Sequence, residues 1–82
     1  MRSQLDSLLN FALDIKPLGP GVHPSKEDQE RRDELLVMKG YIERCIEEDV
    51  LSTMEALQAA GLAAGGGNAL LRYELELRLE AR

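Results

Sequence analysis

The longest run of helical hydrophobic periodicity lies in the middle of the chain, in residues 25–60. This segment contains no Pro and a single internal Gly, Gly40. At about 100° per residue, eight of its apolar residues stay within a sector of roughly 140°, which is typical of a helix that faces a core. This apolar stripe consists of Leu35, Met38, Ile42, Cys45, Ile46, Val50, Leu57 and Ala60. The pattern predicts one long amphipathic helix.

Two features of the same segment favour a break near residues 49–52. Asp49 projects into the middle of the apolar stripe, and Ser52 and Glu55 have the spacing of a capping box, which would start a third helix. The continuous helix is the preferred interpretation, and the broken helix is the alternative. A continuous helix would be roughly 50 Å long. A short neighbouring helix cannot cover a rod of that length, so it requires the C-terminal segment or a second chain.

A shorter helix is predicted over residues 1–16, where apolar positions follow the helical spacing from Leu5 to Leu13. It ends before Pro17, because proline disfavours helical geometry at the preceding residue. Residues 17–24 hold three Pro and two Gly and form a connector that reverses the chain. Residues 25–34 contain no apolar side chain and are predicted to project beyond the core as a charged stem. The expected fold is therefore an all-α helical hairpin built on the long helix.

The last part of the chain consists of a glycine-rich segment and a C-terminal arm. Residues 61–67 contain four Gly and are predicted to form a flexible hinge. In the arm, residues 68–82, apolar and charged residues alternate as in a strand, but Leu, Glu, Arg and Ala favour helices. We favour the helix, with a strand as the alternative. As a helix, the arm carries two apolar stripes on roughly opposite sides. These are Leu70, Tyr73 and Leu77 on one side, and Leu71, Leu75 and Leu79 on the other.

The size and composition of the chain allow one small domain over residues 1–82. A chain of this size buries only about 60–65% of its unfolded surface, so its core is thin. Cys45 is the only cysteine and His23 the only histidine, so neither an intrachain disulfide nor a closed zinc site is available. Association with another chain is the remaining way to enlarge the core. The single Cys and the lack of a targeting or membrane-spanning segment indicate a soluble cytoplasmic protein.

The net charge is −5, and the excess acid lies mostly in residues 25–49, which hold nine acidic and five basic side chains. Binding to a nucleic-acid backbone or to an anionic membrane requires clustered Lys and Arg. Nucleic acids and membranes are therefore excluded as expected partners. A protein partner with a basic surface is compatible with this charge.

The sequence contains no arrangement of residues that indicates catalysis. Glu43, Glu47 and Glu48 lie near one another on the long helix but off its apolar stripe, as expected of a solvated face. Cys45 lies inside the stripe and fits a small core residue. The glycines of residues 61–67 are not followed by the Lys-Ser/Thr pair of a phosphate-binding loop. We therefore expect a non-enzymatic protein with no cofactor and no metal.

The remaining class is a protein-interaction module, such as a small adaptor, regulator or inhibitor. We expect it to form a homo-oligomer, with a dimer favoured, through the apolar stripe of the long helix. The alternative is a structural or accessory subunit of a larger assembly, such as a secretion or phage complex, that docks through its C-terminal arm. The predicted interface residues are Leu35, Met38, Ile42, Cys45, Ile46, Val50, Leu57, Leu71, Tyr73, Leu75, Leu77 and Leu79.

Overall fold

Four α-helices make up the described part of the chain. The computed structural model describes residues 2–81, so Met1 and Arg82, at the ends of the predicted first helix and C-terminal arm, lie outside it. The helices are α1 (Arg2–Ala12), α2 (Lys26–Glu47), α3 (Thr53–Ala64) and α4 (Asn68–Ala81). No strand occurs within residues 2–81, which confirms the all-α prediction and the helical interpretation of the arm.

The central segment forms two helices, so the prediction of a continuous helix over residues 25–60 is wrong and its alternative is correct. α2 ends in a Schellman motif, in which the Val50 N–H donates to the Cys45 carbonyl at 2.9 Å and Asp49 adopts a left-handed φ of 62°. α3 then starts with a complete capping box whose N-cap is Ser52. Asp49 therefore lies exposed in the turn between the helices and belongs to neither helical face.

The first helix is shorter than predicted, because α1 ends at Ala12 instead of residue 16. A second Schellman motif closes it: Asp14 has a φ of 60°, and the Ile15 N–H donates to the Asn10 carbonyl at 2.9 Å. The left-handed residue turns the chain out of the helix before Pro17 is reached.

The prediction of a hinge over residues 61–67 is wrong for the first four of them, because α3 continues through these residues to Ala64. A third Schellman motif follows, with Gly66 at a φ of 103° and the Gly67 N–H donating to the Leu62 carbonyl at 3.2 Å. The last three residues of the segment therefore form a defined helix-ending turn.

Two contacts between helix ends set the directions of the last three helices. The Arg31 guanidinium on the second turn of α2 donates to the carbonyl of Ala64, the last residue of α3, at 2.9 Å. Near the start of α3, the Glu55 carboxylate lies 3.6 Å from the guanidinium of Arg78 in the last turn of α4. α2 and α4 therefore both run antiparallel to α3.

The charged stem, residues 25–34, does not project from the molecule, so that prediction is wrong. Besides the Arg31 contact, Arg32 donates to the backbone carbonyl of Lys16. Further along α2, Lys39 pairs with Asp6 of α1, which places α1 antiparallel to α2. Long arginine side chains reach carbonyl groups that helix ends and loops leave unpaired, and these polar contacts hold the stem beside the rest of the chain.

α3 is the central helix, because it packs on each of the other three. Its inward face consists of alanines, whose small side chains allow close helix packing. On α2, Lys39 reaches α1 and Tyr41 reaches α4 from opposite sides of the buried face, so α1 and α4 flank the α2–α3 pair. The result is a flat molecule of 43 × 28 × 16 Å. Its buried residues are Leu9, Leu13, Leu35, Met38, Ile42, Cys45, Leu51, Ala56, Ala59, Ala60, Ala63, Leu71 and Leu75.

Candidate protein-interaction surface

Most of the predicted interface residues lie in the core of the chain itself. The members that are fully covered are Leu35, Met38, Ile42, Cys45, Leu71 and Leu75. The members that are partly buried and pack against this core are Ile46, Val50, Leu57 and Leu79. Helices of the same chain cover the first group, and the second group keeps only part of its surface in solvent.

α4 separates its two leucine stripes between core and solvent. Leu71 and Leu75 are buried, whereas the opposite stripe is 81% exposed at Leu70, 62% at Tyr73 and 45% at Leu77. We call Leu70, Tyr73 and Leu77 the outer face of α4. Of the predicted interface residues, Tyr73 and Leu77 are therefore the two that lie at the surface.

The predicted interface omitted Leu70, although its position signals the role. It stands three residues before Tyr73 and seven before Leu77, which places all three on one side of a helix. Among residues 2–81, α4 is the helix that exposes three large apolar side chains with this spacing. On α1, the comparable exposed pair is Leu8 and Phe11.

The basic side chains of α4 point back to the rest of the chain. The Arg72 guanidinium carbon lies 5.3 Å from the centre of the Tyr41 ring, and its Nε lies 3.4 Å from Glu76 Oε1. The Tyr41 hydroxyl donates to the same carboxylate oxygen at 2.9 Å. Contacts with Tyr41 and then with Glu76 raise the pKa of Arg72. Arg78 turns the other way and pairs with Glu55 of α3.

Acidic side chains flank the outer face of α4. At about 100° per residue, Glu74 lies on one side of the outer face and Glu80 on the other. Both side chains are exposed, and neither forms a hydrogen bond or ion pair with another described residue. Among residues 2–81, the unpaired charges beside the outer face are therefore those of acidic side chains, one on each side.

An open groove of about 670 Å³ lies between α2 and the start of α4. Its apolar lining includes Val37, Met38 and Ala69, and its polar lining includes Glu34 and Asn68. The Asn68 Oδ1 is buried and has no hydrogen-bond partner. The charged residues of the groove are of both signs, Arg31 and Arg72 with Asp33 and Glu34.

The reactive side chains of the described region do not converge on one site. Cys45 is fully buried between helices, and desolvation raises the pKa of its thiol despite the opposing charges of Arg78 and Arg44. His23 lies exposed in the connector. Glu43 faces Lys39 at 3.9 Å. Among residues 2–81, no three His, Cys, Asp or Glu side chains come together where a metal ion could bind.

Comparison of the chain with known protein families, with curated proteins and with solved structures finds no match. Within the described region, every helix is too short or too polar to cross a membrane.

Proposed function

We propose that this protein is a non-enzymatic protein-interaction module that binds its partner through the outer face of α4. The observation that supports the proposal is that the two apolar stripes of α4 have different environments. Leu71 and Leu75 are buried in the core, whereas the opposite stripe is exposed to solvent. Fully burying a large apolar side chain contributes about 1.5–3 kcal/mol. Docking of helices through anchors at i, i+3 and i+7 is a common mode of protein recognition.

This proposal corresponds to docking through the C-terminal arm, and both an adaptor and a subunit of a larger assembly would use such a surface. A homodimer through the apolar stripe of α2 would need that stripe to be exposed on the single chain. Its central side chains, such as Met38 and Ile42, already form the core of the single chain. Such a dimer would have to exchange helices between copies, so the geometry gives more support to the outer face of α4.

Gel filtration of an extract from the cells that make the protein tests this proposal. We expect the tagged wild-type protein to elute at a larger size than the purified protein, and the variant Leu70→Gln/Leu77→Gln to elute at the size of the purified protein. The matched control is Leu8→Gln/Phe11→Gln on α1, which removes two exposed apolar side chains from another helix.

The control variant should elute with the wild-type complex. Two results would contradict the proposal: a wild-type protein that elutes alone, or an α4 variant that remains in the complex. If the purified wild-type protein is a dimer that the α4 variant disrupts, the partner is a second copy.

A further inference from the structure

We infer that the occupant of the outer face of α4 is a basic amphipathic helix, with an apolar stripe flanked by Lys or Arg. This inference rests on the proposed function and names the chemistry of the partner. It follows from the charges around Leu70, Tyr73 and Leu77, and from the way α4 uses its own arginines.

The basic and the acidic side chains of α4 differ in their contacts. Arg72 interacts with Tyr41 and Glu76, and Arg78 interacts with Glu55, so both guanidinium groups have partners within the chain although their side chains are about half exposed. Glu74 and Glu80 have no such contacts among the described residues and flank the apolar stripe from both sides. A partner that covers the stripe therefore meets carboxylates on either side.

Complementary charges around an apolar centre set the choice of partner and its orientation. A helix laid along α4 would place its own apolar residues against Leu70, Tyr73 and Leu77, and its flanking side chains beside Glu74 and Glu80. Lys and Arg at those flanking positions would form ion pairs there, whereas Glu or Asp would be repelled. The exposed stripe spans about 10 Å from Leu70 to Leu77, which is enough for two turns of a partner helix.

A second copy of this chain fits the same surface poorly. An antiparallel pairing of two α4 helices that sets Leu70 against Leu77 also brings two Glu74 carboxylates side by side. Arg72 and Arg78 already pair with Glu76 and Glu55 of their own chain, so each would have to exchange partners to neutralise them. The whole chain carries a net charge of −5, which adds to the repulsion between copies.

The probe for this inference is a synthetic helical peptide of about 20 residues, long enough to form a helix in water. It has Leu at i, i+3, i+4 and i+7 and Lys on both flanks. Two further peptides carry Gln or Glu in place of every Lys. Binding of each labelled peptide to the full-length protein is measured by fluorescence anisotropy.

We expect the Lys peptide to bind the wild-type protein more tightly than the Gln peptide, and the Glu peptide to bind least. Glu74→Gln/Glu80→Gln should weaken binding of the Lys peptide about five-fold, since two exposed ion pairs are lost. Raising the salt concentration from about 0.05 M to about 0.5 M should weaken it as well. Glu27→Gln/Glu30→Gln, which makes the same charge change at the start of α2, should bind the Lys peptide like the wild type.

The results that would contradict a basic partner differ from those that would contradict the outer face of α4 as the binding surface. Equal binding of the Lys and Gln peptides, or an equal effect of the two charge variants, would overturn the basic partner and leave the outer face of α4 as an interaction surface. Tightest binding by the Glu peptide, or no binding of the Lys peptide, would also overturn it. Binding of the peptides that persists in Leu70→Gln/Leu77→Gln would show that the outer face of α4 is not where they bind.

Discussion

At the scale of single residues, the ends of the helices depend on three residues in the left-handed region. One is a glycine, Gly66, and the other two are Asp14 and Asp49. An L-residue is strained in this conformation, although aspartate tolerates it better than most. A carboxylate at a helix C-terminus also opposes the helix dipole. Both aspartates therefore occupy positions where glycine would be more stable.

Asp49→Gly should raise the free energy of unfolding by about 0.5–1 kcal/mol, measured by denaturant titration. The substitution removes the backbone strain and the unfavourable interaction of the carboxylate with the helix dipole. The larger conformational entropy of glycine in the unfolded chain offsets part of this gain in stability. Gly66→Ala is the control of opposite sign and should lower the free energy of unfolding by about 1–2 kcal/mol, because Gly66 has a φ of 103°. A loss of stability in Asp49→Gly would mean that the carboxylate makes a favourable contact.

The capping box at the start of α3 makes stability depend on pH. Hydrogen bonds from the Ser52 backbone and hydroxyl, followed by the charge of Arg78, lower the pKa of Glu55 below its ordinary value of 4.5. Because the pKa is lower in the folded state, the carboxylate stabilises the fold above pH 4.5 and loses this effect as the pH falls through the folded-state pKa. Glu55→Ala should therefore lower the Tm at neutral pH.

The Tm difference between wild type and Glu55→Ala should narrow steadily as the pH falls below 4.5. Thermal unfolding followed by circular dichroism at a series of pH values measures this difference. A Tm difference that stays constant into acid would show that the charge of Glu55 is not what stabilises the helix start.

At the scale of helices, α3 combines a crowded inner face with an open outer face. Ala60 is fully buried where the other helices meet α3. The next residue, Gly61, points to open space, and a Cβ placed there would meet nothing within 4 Å. A larger side chain therefore fits at residue 61 but not at residue 60.

Gly61→Ala should raise the free energy of unfolding by about 1 kcal/mol, because alanine is the better helix former and fits without contact. Ala60→Leu should lower it by about 1–3 kcal/mol through overpacking. Chemical denaturation of both variants measures the contrast. A destabilised Gly61→Ala would indicate that residue 61 is not in a packed α-helix.

Element boundaries show how far the sequence could predict this fold. The capping box at Ser52 and the polar Asp49 within the apolar stripe both indicated a break near residues 49–52. Neither was decisive, because an aspartate in the left-handed region carries no signal as clear as glycine. The two stripes of α4 also followed from spacing alone. Which stripe is buried did not, because that depends on where the turn at Gly66 directs the helix against α2 and α3.

At the scale of the whole molecule, the same limit applies to the apolar stripe of α2. Periodicity indicates that Met38 and Ile42 are buried, but it does not identify what covers them. The cover is the alanine face of α3 together with α1 and α4, which a prediction based on one continuous helix could not provide. The stripe that the fold leaves exposed to solvent is therefore the outer face of α4 and not the longer stripe of α2.

Replacing Leu75 or Leu77 by alanine compares the buried and the exposed side of α4. Leu75→Ala should lower the free energy of unfolding by about 2–5 kcal/mol, because Leu75 is 2% exposed and its removal leaves a cavity. Leu77→Ala should change it by no more than about 0.5 kcal/mol, because Leu77 is 45% exposed. Equal losses in a urea titration would mean that both stripes of α4 are buried, in the chain or in an oligomer.

The most direct test of the outer face of α4 as the interaction surface is photo-crosslinking inside the cells that make the protein. A photoreactive phenylalanine derivative replaces Tyr73 in one variant and Phe11 in another, since both aromatic side chains are exposed and lie on different helices. We predict a discrete covalent adduct from position 73 and little or none from position 11. An adduct of equal yield from both positions, or none from position 73, would contradict the proposal.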